Sequence, residues 1–149
     1  MVADDDRLFV PDLDDEISRP FWDGCAIGEL RVQTCARCAQ WRMPPRPMCA
    51  HCRSIEFVWI ATSGRGRIWS VAVPHPPLLP GYTELAPYNV IIVELQESPL
   101  IRFVGNLVAA PGAAINSVDP STIVIGEPVI VAFEIVNEVA LPRWTRAHF

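Results

Sequence analysis

The sequence predicts a mainly β protein in which a short helix and a metal-ribbon hairpin precede a small closed barrel. Three observations lead there. Cys35-Ala-Arg-Cys38 is separated by ten residues from Cys49-Ala-His-Cys52, and two C-x-x-C pairs are the sequence form of a tetrahedral thiolate cage. Beyond residue 60 the apolar residues recur with a period of two, the rhythm of half-buried strands. No amphipathic helix pattern follows residue 30, so about five short strands must cover one another, and a small barrel does this best.

The elements follow in chain order. Residues 1–11 are acidic and aperiodic, the pattern of a mobile arm. Ser18 is placed to cap a helix, Pro20 suits its first turn and Gly28 its end. This helix sets Phe21 and Cys25 on one face and Trp22 and Ala26 on the next, although Gly24 weakens the pattern. Cys25 lies outside the paired spacing and reads as a small packed apolar residue. The ribbon then occupies about residues 30–60, its hairpin stiffened by Pro44, Pro45 and Pro47. Strand patterns follow at Ile68–Val73, Val90–Leu95, Ile101–Leu107 and Ile123–Ile125, and Val129, Val131, Phe133 and Ile135 share the face of a last one. The chain thus divides into an acidic arm and helix (1–29), a ribbon (30–60) and a barrel with a C-terminal tail (61–149).

Two apolar segments fall outside this pattern. Pro74–Tyr88 carries five prolines and several apolar residues, and the tail Leu141–Phe149 mixes aromatic residues with arginines. A solvated linker is more polar, so each is expected to pack on its own barrel or on a partner.

The net charge of −5 is strongly segregated. Residues 1–30 hold nine acids against Arg7 and Arg19, giving −7, and residues 31–67 hold seven arginines against Glu56, giving +6. All 12 basic residues are arginine, which excludes a lysine nucleophile or Schiff base. The positive belt, with Trp41, Trp59 and Trp69 close in sequence, is compatible with a single-strand nucleic-acid-binding barrel. The acidic pI of about 5.1 argues against that reading. The chain shows neither a basic-then-apolar leader nor an apolar run of membrane-spanning length. Together with the paired thiols, this points to a reducing cytoplasm.

Catalytic groups are scarce. His51 lies inside the second C-x-x-C, His75 in the proline loop and His148 near the end, and none sits beside an evident nucleophile. Ser63-Gly64-Arg65-Gly66-Arg67 lacks the spacing and lysine of a phosphate loop and precedes a strand. Its glycines could let backbone approach a ligand, and Arg65 and Arg67 could pair with phosphates as planar forks; the alternative is a turn with two solvated arginines. The cage itself looks closed, because Cys35, Cys38, Cys49 and Cys52 fill all four positions of zinc and leave none for water. Two disulfides fit the paired spacing poorly. Iron in a rubredoxin-like cage, for electron transfer, is a further alternative.

The order of parts carries a family resemblance. Pro20-Phe21-Trp22, Gly28-Glu29-Leu30, the first cysteine pair, Pro44-Pro45-Arg46 and the second pair precede a Gly64-Arg65-Gly66-Arg67 strand. Pro87-Tyr88, Ile125-Gly126 and Leu141-Pro142 follow. Over about residues 15–145 the chain resembles the acyl-CoA-associated OB-fold family with an N-terminal rubredoxin-like zinc ribbon, the DUF35 family. The resemblance implies a five-stranded OB-fold barrel and Cys35, Cys38, Cys49 and Cys52 as ligands of a structural zinc. It also implies a non-catalytic subunit that accompanies a thiolase-like enzyme, a steroid side-chain aldolase or a MaoC-type enoyl-CoA hydratase and helps shape its acyl-CoA site. The positive belt adds Arg46, Arg65 and Arg67 as expected contacts to the CoA phosphates. Two positions depart from the family pattern: Ala39 stands where glycine is usual and Ala50 where proline is common. Alanine at a position that requires positive φ would strain the knuckle.

Overall fold

The computed structural model describes residues 8–149 and consists of one helix and two antiparallel sheets. Most of the acidic arm, residues 1–7, lies outside the described residues. The helix α1 spans Arg19–Ala26, with Pro20 in its first turn and Phe21 and Cys25 buried, as the four-residue spacing predicts. Ser18 accepts the first helical N–H groups through its carbonyl, while its side chain makes no cap. Gly28 closes the helix with φ +80°. Gly24 has a packing reason: a Cβ there would strike the Arg31 side chain and the Glu29 carbonyl.

The first sheet is the ribbon. Strands β1 (Arg31–Cys35), β2 (Trp41–Arg42) and β3 (Phe57–Ala61) lie in the order β2-β1-β3. The second sheet holds β4 (Arg65–Ala72), β5 (Val90–Leu95), β6 (Arg102–Gly105), β7 (Pro128–Val136) and β8 (Val139–Arg146) in the order β6-β5-β4-β7-β8. It curls shut where the chain after β6 meets β8. Leu107 pairs in parallel with Trp144, and Val108 N–H donates to the Trp144 carbonyl at 2.8 Å.

The count of five barrel strands holds, but one of them differs from the expectation. Ile123–Ile125 is not a strand; Val124 and Ile125 are exposed and follow a single turn of 3-10 helix at Pro120–Thr122. The fifth strand is β8, formed by much of the segment read as a tail. Pro142, Arg143 and Arg146 disguise its period, yet Trp144 is 1% exposed in the barrel core. The tail therefore packs on its own barrel up to Arg146. On β7 the expected apolar face ends early: Val129 is buried and Val131 and Phe133 pack against the core, but Ile135 is exposed beside the hairpin tip. A bulge in β4 explains another irregularity. The register shifts between Ile68 and Ser70, so Ile68 and Val71 both face the core opposite Val93 and Ile91, and Trp69 is turned outward.

One apolar core joins both sheets. Ile68, Ile91, Val93, Phe103, Leu107, Val129 and Trp144 of the barrel are continuous with Phe21, Cys25, Leu30 and Val32. The Phe21 ring stacks on Phe103 with centroids 6.0 Å apart, which seats α1 against the barrel. Full burial of each such side chain contributes about 1.5–3 kcal/mol.

The seam of the barrel is held by a polar clasp. Asn89, fully buried, donates from Nδ2 to the Leu107 carbonyl at 2.9 Å and accepts from Leu107 N–H at 2.7 Å. Asn106 donates to the Asn89 carbonyl and accepts from Arg143, which is paired with Glu134 at 2.7 Å.

Candidate metal centre and arginine surface

The two C-x-x-C segments fold alike because each makes the same tight turn. Ala39 N–H donates to the Cys35 carbonyl at 3.0 Å, and Arg53 N–H donates to the Cys49 carbonyl at 2.9 Å. Each knuckle then closes through its first cysteine: Cys35 N–H bonds the Gln40 carbonyl and Cys49 N–H that of Ser54, both at 2.9 Å. This turn requires a left-handed residue just after each second cysteine, and Ala39 and Arg53 supply it at φ 60° and 61°. Neither is glycine, so each carries the strain of αL backbone, and for Ala39 this is the strain that the family pattern implies.

The turns aim four sulfurs at one point. The four Sγ atoms lie within 4.8 Å of one another, with Cys35–Cys52 and Cys38–Cys49 both at 3.6 Å. A disulfide needs about 2.0 Å, and all five cysteines are free. A tetrahedron with Zn–S bonds of about 2.3 Å has sulfurs about 3.8 Å apart, so the donor set fits zinc. Backbone N–H groups of Cys38 and Arg37 point at the Cys35 sulfur and hold its thiol down to about 6, against desolvation. The N–H of Cys52 lowers Cys49 in the same way. Both effects favour the thiolate that a metal requires, while desolvation and the crowding sulfurs push Cys38 up to about 12, a repulsion that a bound cation would relieve. Cys25 is separate from this cluster; burial in the core pushes its thiol up to about 12, as expected of a packed, unreactive group.

The arginines expected at CoA phosphates fall in two places. Arg65 and Arg67 share the outer face of β4, both exposed. The Arg67 guanidinium donates to the Gly126 carbonyl at 3.0 Å, and that of Arg65 lies 5.1 Å from the Phe149 ring centroid. An open groove of about 460 Å³ runs beside them, lined by Gly66, Arg67, Glu94, Leu95, Gln96 and Phe149 among others. Arg46 is not part of this groove. It is exposed on the ribbon loop, where its backbone N–H donates to Gln33 Oε1 at 2.8 Å. The glycines of the same motif serve the barrel itself. A Cβ on Gly64 would collide with Val131, and one on Gly66 with the Glu94 carbonyl, so both positions let neighbouring strands approach.

The proline loop is split. Tyr88 is buried and its ring lies 6.0 Å from that of Tyr82, whereas Leu79 is exposed. The ribbon's outer strand is also apolar and open, with Phe57, Val58 and Ile60 all exposed. His51, His75 and His148 are exposed and lie far apart in the chain, and no catalytic constellation forms among the described residues. Sequence reasoning missed the Asn89 clasp and the buried Arg42. A buried asparagine or arginine reads as polar surface until its burial is known; the apolar run after Asn89 could have hinted at the clasp, and nothing local marks Arg42.

The comparisons with known proteins agree with this geometry. Residues 22–58 match the family described as ChsH2, rubredoxin-like zinc ribbon domain, and residues 59–134 match ChsH2, C-terminal OB-fold domain. The chain is 34% identical over 125 residues to the 3-oxo-4,17-pregnadiene-20-carboxyl-CoA hydratase alpha subunit of Mycobacterium tuberculosis, covering 84% of this chain. It is 36% identical over 124 residues to a probable enoyl-CoA hydratase alpha subunit of Thermomonospora curvata. The chain spans only about a third of the length of these two relatives, 34% and 35%. A DUF35 domain-containing scaffold protein of Methanothermobacter thermautotrophicus is matched more completely, at 32% identity over 73% of this chain and 74% of that one. Among solved structures, a chain of an Ltp2-ChsH2(DUF35) aldolase superposes with a TM-score of 0.74 at 30% identity, over 93% of this chain and all of the other. No helix among the described residues is long and apolar enough to cross a membrane. The cysteine cage, the barrel and these matches together place the chain in the ChsH2 (DUF35) family of zinc-ribbon OB-fold proteins.

Proposed function

We propose that this chain is a non-catalytic accessory subunit of a thiolase-superfamily enzyme, either a sterol-carrier-protein-type thiolase or a steroid side-chain aldolase. In this role it helps form the partner's acyl-CoA site in lipid or steroid breakdown in the cytoplasm. The observation that carries the reading is the end-to-end match to a DUF35 chain whose structure is described as an aldolase with Ltp2. The scarcity of grouped acid–base residues agrees with it, since the chemistry then belongs to the partner. Cys35, Cys38, Cys49 and Cys52 hold a structural zinc, which would lock the two knuckles together and offer no open position. The functional divisions are the arm and helix to residue 29, the ribbon from 30 to 60 and the barrel from 61 to 149. Arg65 and Arg67, beside the groove at β4, and Arg46, on the ribbon, contact the CoA phosphates.

Reconstitution tests this. Co-expressed with a thiolase-like partner, the chain should co-purify with it and raise its turnover of acyl-CoA substrates, while showing none alone. A partner equally active without the chain, or a chain active by itself, defeats the proposal. Within the complex, R65A/R67A should raise KM for the CoA substrate about tenfold through loss of charge-assisted contacts, with kcat little changed. The names of the two hydratase relatives favour a second reading, in which the partner is a MaoC-type hydratase. Hydration of an enoyl-CoA by the co-purified complex, with no carbon–carbon cleavage, would select it.

A further inference from the structure

The ribbon buries a row of polar side chains that its own fold leaves unpaired. Gln33 of β1 lies opposite Arg42 of β2 on one side and opposite Trp59 of β3 on the other, so the three side chains share one face. Gln33 is fully buried and Arg42 is 8% exposed. Among the described residues, Gln33 Nε2, Trp59 Nε1 and all three guanidinium nitrogens of Arg42 lack a hydrogen-bond partner. Every atom in this row is a donor. The one acceptor, Gln33 Oε1, is taken by the Arg46 N–H.

A guanidinium is always charged, and burying it without a countercharge is strongly unfavourable. No carboxylate among the described residues forms an ion pair with Arg42. The same sheet face offers another anion. Cys35 stands two residues along β1 from Gln33, hence on the same side, and it is paired across β1 and β3 with Phe57. The guanidinium carbon of Arg42 lies 5.9 Å from the Phe57 ring centroid. A side chain rooted opposite Gln33 on β2 reaches Phe57 only by crossing β1 diagonally toward Cys35. That path carries the cation along the sheet face that bears Cys35, with its nitrogens outside hydrogen-bond reach of the sulfurs.

We infer that Arg42 is the internal countercharge of the metal centre, a positioning residue that offsets the charge of the four thiolates and tightens their hold on a divalent metal. The inference rests on the zinc reading above. Four thiolates around Zn²⁺ leave a net charge of −2. One buried arginine offsets half of that charge from inside the fold, where solvent screens least. The Arg46 N–H bond holds Gln33 in place beside Arg42, so the Pro-Pro-Arg loop packs over the row and keeps water from the guanidinium.

The test is zinc competition against a coloured chelator with the full-length chain. Arg42→Met keeps the length and removes the charge, and it should weaken zinc affinity about 10–100-fold, the usual effect of losing a group that supports metal ligands. Arg42→Lys, whose ammonium stays charged on the face of an anionic cage, should stay within about threefold of the parent. Arg19→Met, at an exposed arginine of α1 away from the row, should leave the zinc affinity as it was. Thermal melts with and without zinc provide the second readout: R42M should lower the midpoint of the zinc-loaded chain more than that of the zinc-free chain. Equal shifts in the two forms with unaltered zinc affinity would make Arg42 a packing residue and overturn the proposal. An R42K affinity as weak as that of R42M would overturn the countercharge role. A parent chain that binds no zinc would overturn the metal reading itself, which is a separate failure.

Discussion

Among the described residues, the barrel closes on itself with its buried polar side chains paired, whereas the ribbon, a sheet of three strands, leaves buried donors without acceptors. At the barrel seam, both ends of the Asn89 amide are satisfied by Leu107, and Arg143 is paired with Glu134. In the ribbon, β2 is two residues long, and Arg42, Gln33 and Trp59 keep orphaned donors. The difference follows from size. A closed five-stranded sheet encloses enough apolar surface to stand by itself, while a segment of about 30–40 residues usually needs a metal or a partner to complete it. The shared core of Phe21, Leu30 and Val32 shows where the smaller sheet borrows from the larger.

Removing the metal should separate the two regions most clearly. Structural zinc contributes on the order of 10 kcal/mol to the folding of small ribbons. Chelation, or the double change C49S/C52S, should therefore erase hydrogen-exchange protection over residues 31–61 and leave β5, β7 and β8 protected. Loss of protection in both sheets at once would show that the shared core makes them a single cooperative unit, and the comparison would fail.

The next effect belongs to the barrel. Asn89→Ala leaves the Leu107 N–H and carbonyl buried without partners, which should cost about 2–4 kcal/mol in urea unfolding. The zinc affinity of the ribbon should stay as it was. A loss under 1 kcal/mol would mean that water replaces the clasp. The smallest expected effect is a gain. Ala39→Gly relieves a left-handed alanine in the first knuckle and should stabilise the zinc-loaded chain by about 1 kcal/mol. Ala50→Gly, at a position without positive φ, should be neutral or slightly destabilising.

The four cysteines, the helix with Phe21 and Cys25 inward and the strands β5 and β6 were legible because each is a local pattern. Chelating spacing, four-residue periodicity and alternation of burial all operate within a few residues. The strand β8 was hidden because its inward positions carry alanine and tryptophan among a proline and two arginines, and its period emerges only once β7 lies beside it. Ile123–Ile125 misled for the opposite reason: three apolar residues read as a strand when no neighbouring strand receives them. The glycines at 64 and 66 were visible, but their purpose was not, since the strands they admit lie about 30–65 residues further along the chain.

By itself, then, the sequence determined the metal-binding knuckles, the class of fold and the segregated charge, all of which follow from short-range spacing and composition. The tertiary structure alone decided which arginines are surface and which is buried, that the tail is a strand, and that one asparagine holds the seam. Those properties depend on what lies opposite a residue across a sheet, and the free energy of a polar group is set by those neighbours far more than by its own identity.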